Sequence, residues 1–113
     1  MDTLISKTEN FVINFLNSNL EKSFVYHNVS HTQRVVEKTG ELIEVLDLSE
    51  IEKENLIIAA WFHDVGYTKV MDGHEKEGVK IAAKFLKENG LASERIDAIS
   101  KMILSRNGSS ACF

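Results

Sequence analysis

The sequence of 113 residues contains no proline, a single cysteine and no long apolar run. With no proline and no convincing alternation of apolar and polar residues, the chain is expected to be all-α. The only thiol, Cys112, has no partner for an internal disulfide, which indicates a reducing compartment. The longest apolar run, Leu56 to Phe62, is far too short to span a bilayer. Because Met1-Asp2-Thr3 lacks the basic-then-apolar pattern of a signal peptide, we expect a cytoplasmic location.

The chain also has little positive charge. Thirteen basic residues against seventeen acidic ones leave a formal net charge of −4. No basic stripe is available for a phosphate backbone, so a nucleic acid polymer is not an expected partner. A small phosphorylated substrate is not excluded, because a metal ion can supply positive charge locally. The hydrophobic fraction of 43% is typical of a globular chain with one small core.

Helical periodicity of the apolar residues divides the chain into about five segments, assigned to a single domain over residues 1–113. The first predicted helix runs from Leu4 to Leu16. The second begins near Asn28 or Ser30, either of which can cap it, and runs to about Asp47. One face of this second helix is predicted to carry His31, Val35, Leu42 and Leu46.

The third predicted helix is apolar almost all round from Leu56 onward, so we expect it to be the buried centre of the fold. Ser49 and Glu52 have the spacing of a capping box at its start. After a loop, His74 opens a fourth helix, and Gly90 is predicted to end it.

Two side chains that bind metals, His63 and Asp64, follow directly after the apolar end of the third helix. Near a helix C-terminus the backbone leaves its regular path, so a neighbouring imidazole and carboxylate can converge on one divalent ion. His31, from the preceding helix, is the candidate third ligand. His27 lies one helical turn before His31. Taken alone, His27 and His31 are more typical of ordinary surface histidines. Only the presence of His63 and Asp64 later in the chain favours a metal site.

Three short motifs, each in a helical context, together resemble the HD superfamily of metal-dependent phosphohydrolases. They are Tyr26-His27-Asn28-x-x-His31-Thr32-x-x-Val35, His63-Asp64-x-Gly66-Tyr67 and His74-Glu75. The resemblance covers residues 26–105 and implies an all-helical bundle with His31, His63 and Asp64 as metal ligands. The first motif is also similar to the opening motif of cyclic nucleotide phosphodiesterases, which implies that His27 is the catalytic proton donor.

The resemblance further implies a divalent ion (Mn, Co, Ni, Zn, Mg or Fe) that activates water and neutralises phosphate oxygens. Asp64 would then serve in catalysis as well as in metal binding, by orienting the water. His74 and Glu75 fit either a simple capping pair or a supporting role, around the first metal or at a second one. Lys69 and Lys76 are candidate phosphate contacts, although lysines on loops and helix surfaces are usually only solvated.

The C-terminal part departs from the family pattern. Ser93 is predicted to cap a fifth helix, and residues 106–113 are predicted to form a loose tail. In the family a later helix carries a second metal-binding aspartate, and neither Asp72 nor Asp97 matches it. We therefore expect a partial, C-terminally truncated domain that lacks the family's later helices. The apolar surface left exposed would favour a homo-oligomer.

Three functions stay open at this level. The first is a phosphomonoesterase or phosphodiesterase acting on a small, nucleotide-like substrate. The second is a catalytically impaired domain that serves as a metal- or nucleotide-binding regulatory module. The third is a di-iron oxygenase of the HD type. Metal content separates the three functions. One bound Mn, Co, Ni or Zn ion with phosphatase activity supports the first, and bound metal without turnover supports the second. Two irons with an absorbance change in air support the third.

Overall fold

The computed structural model describes residues 3–19, 22–63, 65 and 74–108, with side chains at 3–18, 29–63, 65 and 76–104. These ranges contain five α-helices and no strand, which confirms the predicted all-α class. The helices are α1 (Leu4–Asn19), α2 (Lys22–Val45), α3 (Glu50–Phe62), α4 (His74–Glu88) and α5 (Ser93–Gly108). No helix in the described ranges combines the length and the apolar character needed to cross a membrane.

Helix α3 is the centre of the bundle and contacts each of the other four helices. Its start is fixed by the predicted capping box: the Glu52 N–H donates to Ser49 Oγ at 3.1 Å, and the Ser49 N–H donates to Glu52 Oε1 at 3.1 Å. From Ile58 to Phe62 every side chain is buried. The prediction that this helix is the buried element is therefore confirmed.

Aromatic rings join α1 and α4 to the central helix α3. Phe11 of α1 stacks on Phe85 of α4 with ring centroids 4.5 Å apart, and both rings lie 5.9 Å from Phe62 of α3. Ile99 and Ile103 of α5 complete the same core and are fully buried. Burial of large apolar rings is the main favourable term in such a small domain, so these contacts fix how α1 and α4 lie on α3.

Helix α2 differs from its prediction in its bounds. It begins at Lys22, so Asn28 and Ser30 lie inside the helix and neither one caps it. The helix also ends at Val45 rather than Asp47. Asn28 and Ser30 have side chains that can cap a helix, and this local pattern suggested a helix start there. The helical residues 22–27 before them carry no comparable pattern, and helix boundaries are the least certain part of such a prediction.

The buried face of α2 also differs from the prediction. Among the α2 side chains that the structure describes, from residue 29 onward, the fully buried ones are Thr32, Val35 and Thr39. By contrast, Leu42 and Leu46 are 48% and 43% exposed, so the neighbouring helices leave this side of the α2 segment largely uncovered. The Thr39 hydroxyl is satisfied inside the helix, where it donates to the Val35 carbonyl at 2.8 Å.

The turn between α4 and α5 follows the predicted glycine stop. Gly90 has φ +81°, and the Leu91 N–H donates to the Leu86 carbonyl at 3.1 Å, which closes the end of α4. Ser93 is the first helical residue of α5 and not its cap; the Arg95 N–H instead donates to the carbonyl of Ala92. Helix α5 continues to Gly108, past the predicted start of the tail at 106, and positions 109–113 lie outside the described residues.

An arginine on α5 braces the first half of α3. Arg95 donates from Nε and Nη2 to Asn55 Oδ1 at 3.1 and 2.7 Å, and from Nη2 to Glu54 Oε1 at 2.7 Å. Asn55 is only 5% exposed, so its carbonyl oxygen depends on this donor. This pairing could not be predicted from a local pattern, because Arg95 and Asn55 are 40 positions apart.

We expect Arg95→Ala to lower the free energy of unfolding by about 1–3 kcal/mol, because a buried amide oxygen loses its donor. Urea denaturation followed by circular dichroism measures the change. Arg34→Ala, at an exposed position on α2, is the matched control and should stay within about 0.5 kcal/mol of the parent. Equal effects of the two substitutions would show that the brace is not important for stability.

The two glycines at 40 and 90 provide a second, paired prediction. Gly90→Ala should destabilise the fold by about 1 kcal/mol, because alanine is strained at φ +81°. Gly40→Ala should stabilise it by about 0.5–1 kcal/mol, since a Cβ there meets nothing within 4 Å and alanine favours a helix interior. Thermal melts of both variants check the opposite signs.

Candidate metal centre

Helices α2 and α3 bring His31 and His63 together. The centroids of the two imidazole rings lie 5.4 Å apart, and the ring planes are inclined by 49°. His63 is the C-cap residue of α3 and is 7% exposed, whereas His31 is half-buried on α2. Thirty-two positions apart in the sequence, the two imidazoles thus meet at the end of the central helix.

The backbone of α3 fixes the ring of His63. Its Nδ1 lies 2.9 Å from the carbonyl oxygen of Ala60, in the last turn of the helix, where carbonyls lack partners from the regular helical pattern. A carbonyl oxygen only accepts hydrogen bonds, so Nδ1 carries the proton and the lone pair of the neutral ring is on Nε2. Metal-binding histidines in proteins are commonly oriented by this kind of hydrogen bond from the other ring nitrogen.

The spacing of the two rings fits a shared ion. With metal–nitrogen bonds of about 2.1 Å, two imidazole centroids on one ion can be no more than about 6.4 Å apart. The observed 5.4 Å lies inside this limit. An ordinary contact between two aromatic rings spans the same distances. The hydrogen bond from Nδ1 to Ala60 is therefore the additional feature that favours metal binding at His63.

The third predicted ligand, Asp64, lies outside the described residues, and in the sequence it stands between two buried ones, His63 and Val65. Among the side chains that the structure does describe, no group of three or more histidine, cysteine or carboxylate residues forms a metal-sized cluster. The assignment of His31, His63 and Asp64 as a complete ligand set therefore stays a prediction.

The remaining predicted site residues are placed mainly by their backbone. The α2 helix includes His27 one turn before His31, and His74 is the first residue of α4. Lys76 is exposed on the first turn of α4. Lys69 lies wholly outside the described residues, and so do the side chains of His27, His74 and Glu75.

One buried polar group near the site was not singled out from the sequence. Trp61 is 4% exposed, and its indole Nε1 finds no hydrogen-bond acceptor in the described part of the chain. It precedes His63 by two positions in an otherwise apolar run, where the periodicity marks it only as a core residue. The indole N–H could have marked Trp61 as a residue of interest, because a buried hydrogen-bond donor needs an acceptor.

The HD domain family model matches residues 28–111, well over half of the chain. The protein therefore belongs to the HD-domain family, whose members are generally metal-dependent phosphohydrolases. The matched range includes His31, His63 and Asp64 and begins one residue after His27. Helix α1 lies wholly before it. No curated protein and no solved structure matches the chain.

We expect His63→Ala and His31→Ala each to weaken binding of Mn²⁺ or Co²⁺ by at least about tenfold, because loss of a ligand costs no less than loss of an outer hydrogen-bond partner. Metal content after dialysis, measured by elemental analysis and titration calorimetry, checks this. His27→Ala is the matched control, since the predicted proton donor is not a ligand. Unchanged metal content in His63→Ala would disprove the ligand assignment, and circular dichroism confirms that each variant is folded.

Proposed function

We propose that this chain is a metal-dependent phosphohydrolase acting on a small phosphorylated substrate, with a nucleotide as the predicted example. The observation that carries the proposal is the approach of His31 to His63 within 5.4 Å, with His63 oriented by the Ala60 carbonyl. Both histidines fall inside the range matched by the HD domain model. The histidine pair fits all three functions that the sequence left open, and the general character of the family, metal-dependent phosphate ester hydrolysis, is what supports the first of them.

The proposed ligands are His31, His63 and Asp64. A bound divalent ion would supply a water of lowered pKa and positive charge for the phosphate oxygens. The contribution of the protein is to hold the ligands in place before the substrate arrives. The hydrogen bond from His63 Nδ1 does this for one imidazole, because it fixes both the tautomer and the ring orientation.

The proposed proton donor is His27, which protonates the oxygen that leaves from phosphorus. Its position in α2, one turn before His31, puts the two residues on successive turns of one helix face. Asp64 would orient the attacking water. Transfer of a proton to the leaving group by a positioned side chain is worth about 10²–10⁴ in rate.

Substrate contacts are proposed at Lys69 and Lys76, and a supporting or second-metal role at His74 and Glu75. Lys76 is exposed on the first turn of α4, and the N-terminal end of a helix favours anions. With a net charge of −4, the chain offers phosphate little general attraction, so the metal ion and these few lysines would have to provide it.

The decisive experiment compares leaving groups in Mn²⁺-loaded protein. We expect His27→Ala to lower kcat by about 10²–10⁴ for a nucleoside monophosphate and much less for p-nitrophenyl phosphate, whose leaving group needs no proton. The Mn²⁺ content of His27→Ala should equal that of the parent protein. Lys80→Ala, exposed on α4 one turn after Lys76, is the control that should leave kcat and KM unchanged.

Two results would contradict the proposal. Metal bound to the parent protein without turnover of any phosphate ester would support the regulatory alternative. An equal loss with both leaving groups in His27→Ala would remove this residue from the role of proton donor.

A further inference from the structure

Exposed apolar side chains are concentrated where α2 ends and α3 begins. Leu42, Val45 and Leu46 are 48%, 79% and 43% exposed, and their spacing places them on one side of the end of the α2 segment. Ile51, in the first turn of α3, is 57% exposed. Among the described residues, four of the five large exposed hydrophobic side chains thus fall between positions 42 and 51. We name these four residues the α2–α3 patch.

A groove of about 460 Å³ continues this patch between the helices. Its apolar wall is formed by Ile5, Ile43, Ile51 and Ile57, and its polar wall by Glu50, Lys53 and Glu54. Ile51 belongs to both the patch and the groove, so the two form one surface. The groove has the volume of a site that accepts a few large apolar side chains.

Negative charge surrounds this surface. Residues 41–54 contain six acidic side chains and one basic side chain, Lys53, whereas the rest of the chain has eleven acidic and twelve basic residues. Lys53 is already paired with Glu50 at 3.6 Å. Glu41, Glu44 and Asp47 are exposed beside the patch. The excess negative charge of the whole chain is therefore concentrated around its apolar patch.

We infer that the α2–α3 patch docks a basic amphipathic helix of a partner protein. Apolar side chains at helical spacing would enter the groove, and flanking lysines or arginines would meet the acidic residues. A second copy of this chain is disfavoured, because a two-fold contact would place residues 41–54 against themselves. An anionic membrane surface is disfavoured by the same charge.

This surface is distant from the histidine pair. Ile51 lies in the first turn of α3 and His63 caps its other end, a distance of about 18 Å along the helix. The patch and the proposed metal centre therefore lie at opposite ends of α3. The inference also does not depend on the proposed hydrolase activity.

The test uses a fluorescein-labelled helical peptide of about 18 residues with leucines at i, i+3, i+4 and i+7 and lysines elsewhere. Fluorescence anisotropy measures its binding to the full chain, and a peptide with glutamates in place of the lysines is the charge control. We expect the basic peptide to bind and the acidic one not to bind. Val45→Ser with Ile51→Ser should weaken binding by about tenfold or more.

The matched control is Leu104→Ser, which changes the remaining large exposed hydrophobic residue of the described chain, 40% exposed on α5. Binding should be unchanged in this variant, and amide chemical shifts perturbed by the peptide should map to Ile5 and its helix neighbours and to residues 42–57. Equal binding by the Val45/Ile51 variant and the parent, or perturbed shifts elsewhere, would overturn the inference. So would light scattering that shows a dimer of the parent dissociated by the same two substitutions, because a second copy would then be the occupant.

Discussion

The hydrogen bond between His63 Nδ1 and the Ala60 carbonyl is the contact on which the proposed chemistry depends. It forms because α3 is buried along its second half and ends at a histidine, so that a carbonyl of the last turn is available to an imidazole. The bond determines which nitrogen of His63 presents its lone pair. With His31 beside it, the end of a core helix carries two neighbouring imidazoles, one of which this bond orients.

The two ends of α3 differ in character because they have different neighbours. The C-terminal end is enclosed by the core, with Phe62 against Phe11 and Phe85, and there the histidine pair lies. The N-terminal end is held by polar contacts, through the capping box and Arg95, and it borders the exposed α2–α3 patch. The enclosed position of the proposed metal ligands and the exposed surface of the proposed docking site thus lie at opposite ends of one helix.

Helix α1 contributes to this arrangement although it lies before the range matched by the HD domain model. Val12 and Leu16 are buried against the core that α3, α4 and α5 share, and Phe11 stacks on Phe85. The core of the protein therefore extends beyond the family match. A domain of this size buries a limited fraction of its apolar surface, so an additional packed helix matters for its stability.

Features that depend on adjacent residues were determined by the sequence. The capping box of Ser49 and Glu52 follows from hydrogen bonds three positions apart, and the stop at Gly90 follows from the positive φ of that residue. The predicted helix start at His74 also agrees with the structure. The buried character of α3 follows from a run that is apolar on all sides. The HD motifs belong to the same class of local signal.

Only the tertiary structure decided which faces and distant residues meet. Periodicity placed Leu42 and Leu46 with Val35 on one face of α2, but the neighbouring helices leave both leucines largely exposed, and the buried positions include Thr32 and Thr39. The brace from Arg95 to Asn55 and the 5.4 Å approach of His31 to His63 join residues more than thirty positions apart. Such contacts depend on how whole helices pack, and a pattern within one helix carries no information about its neighbours.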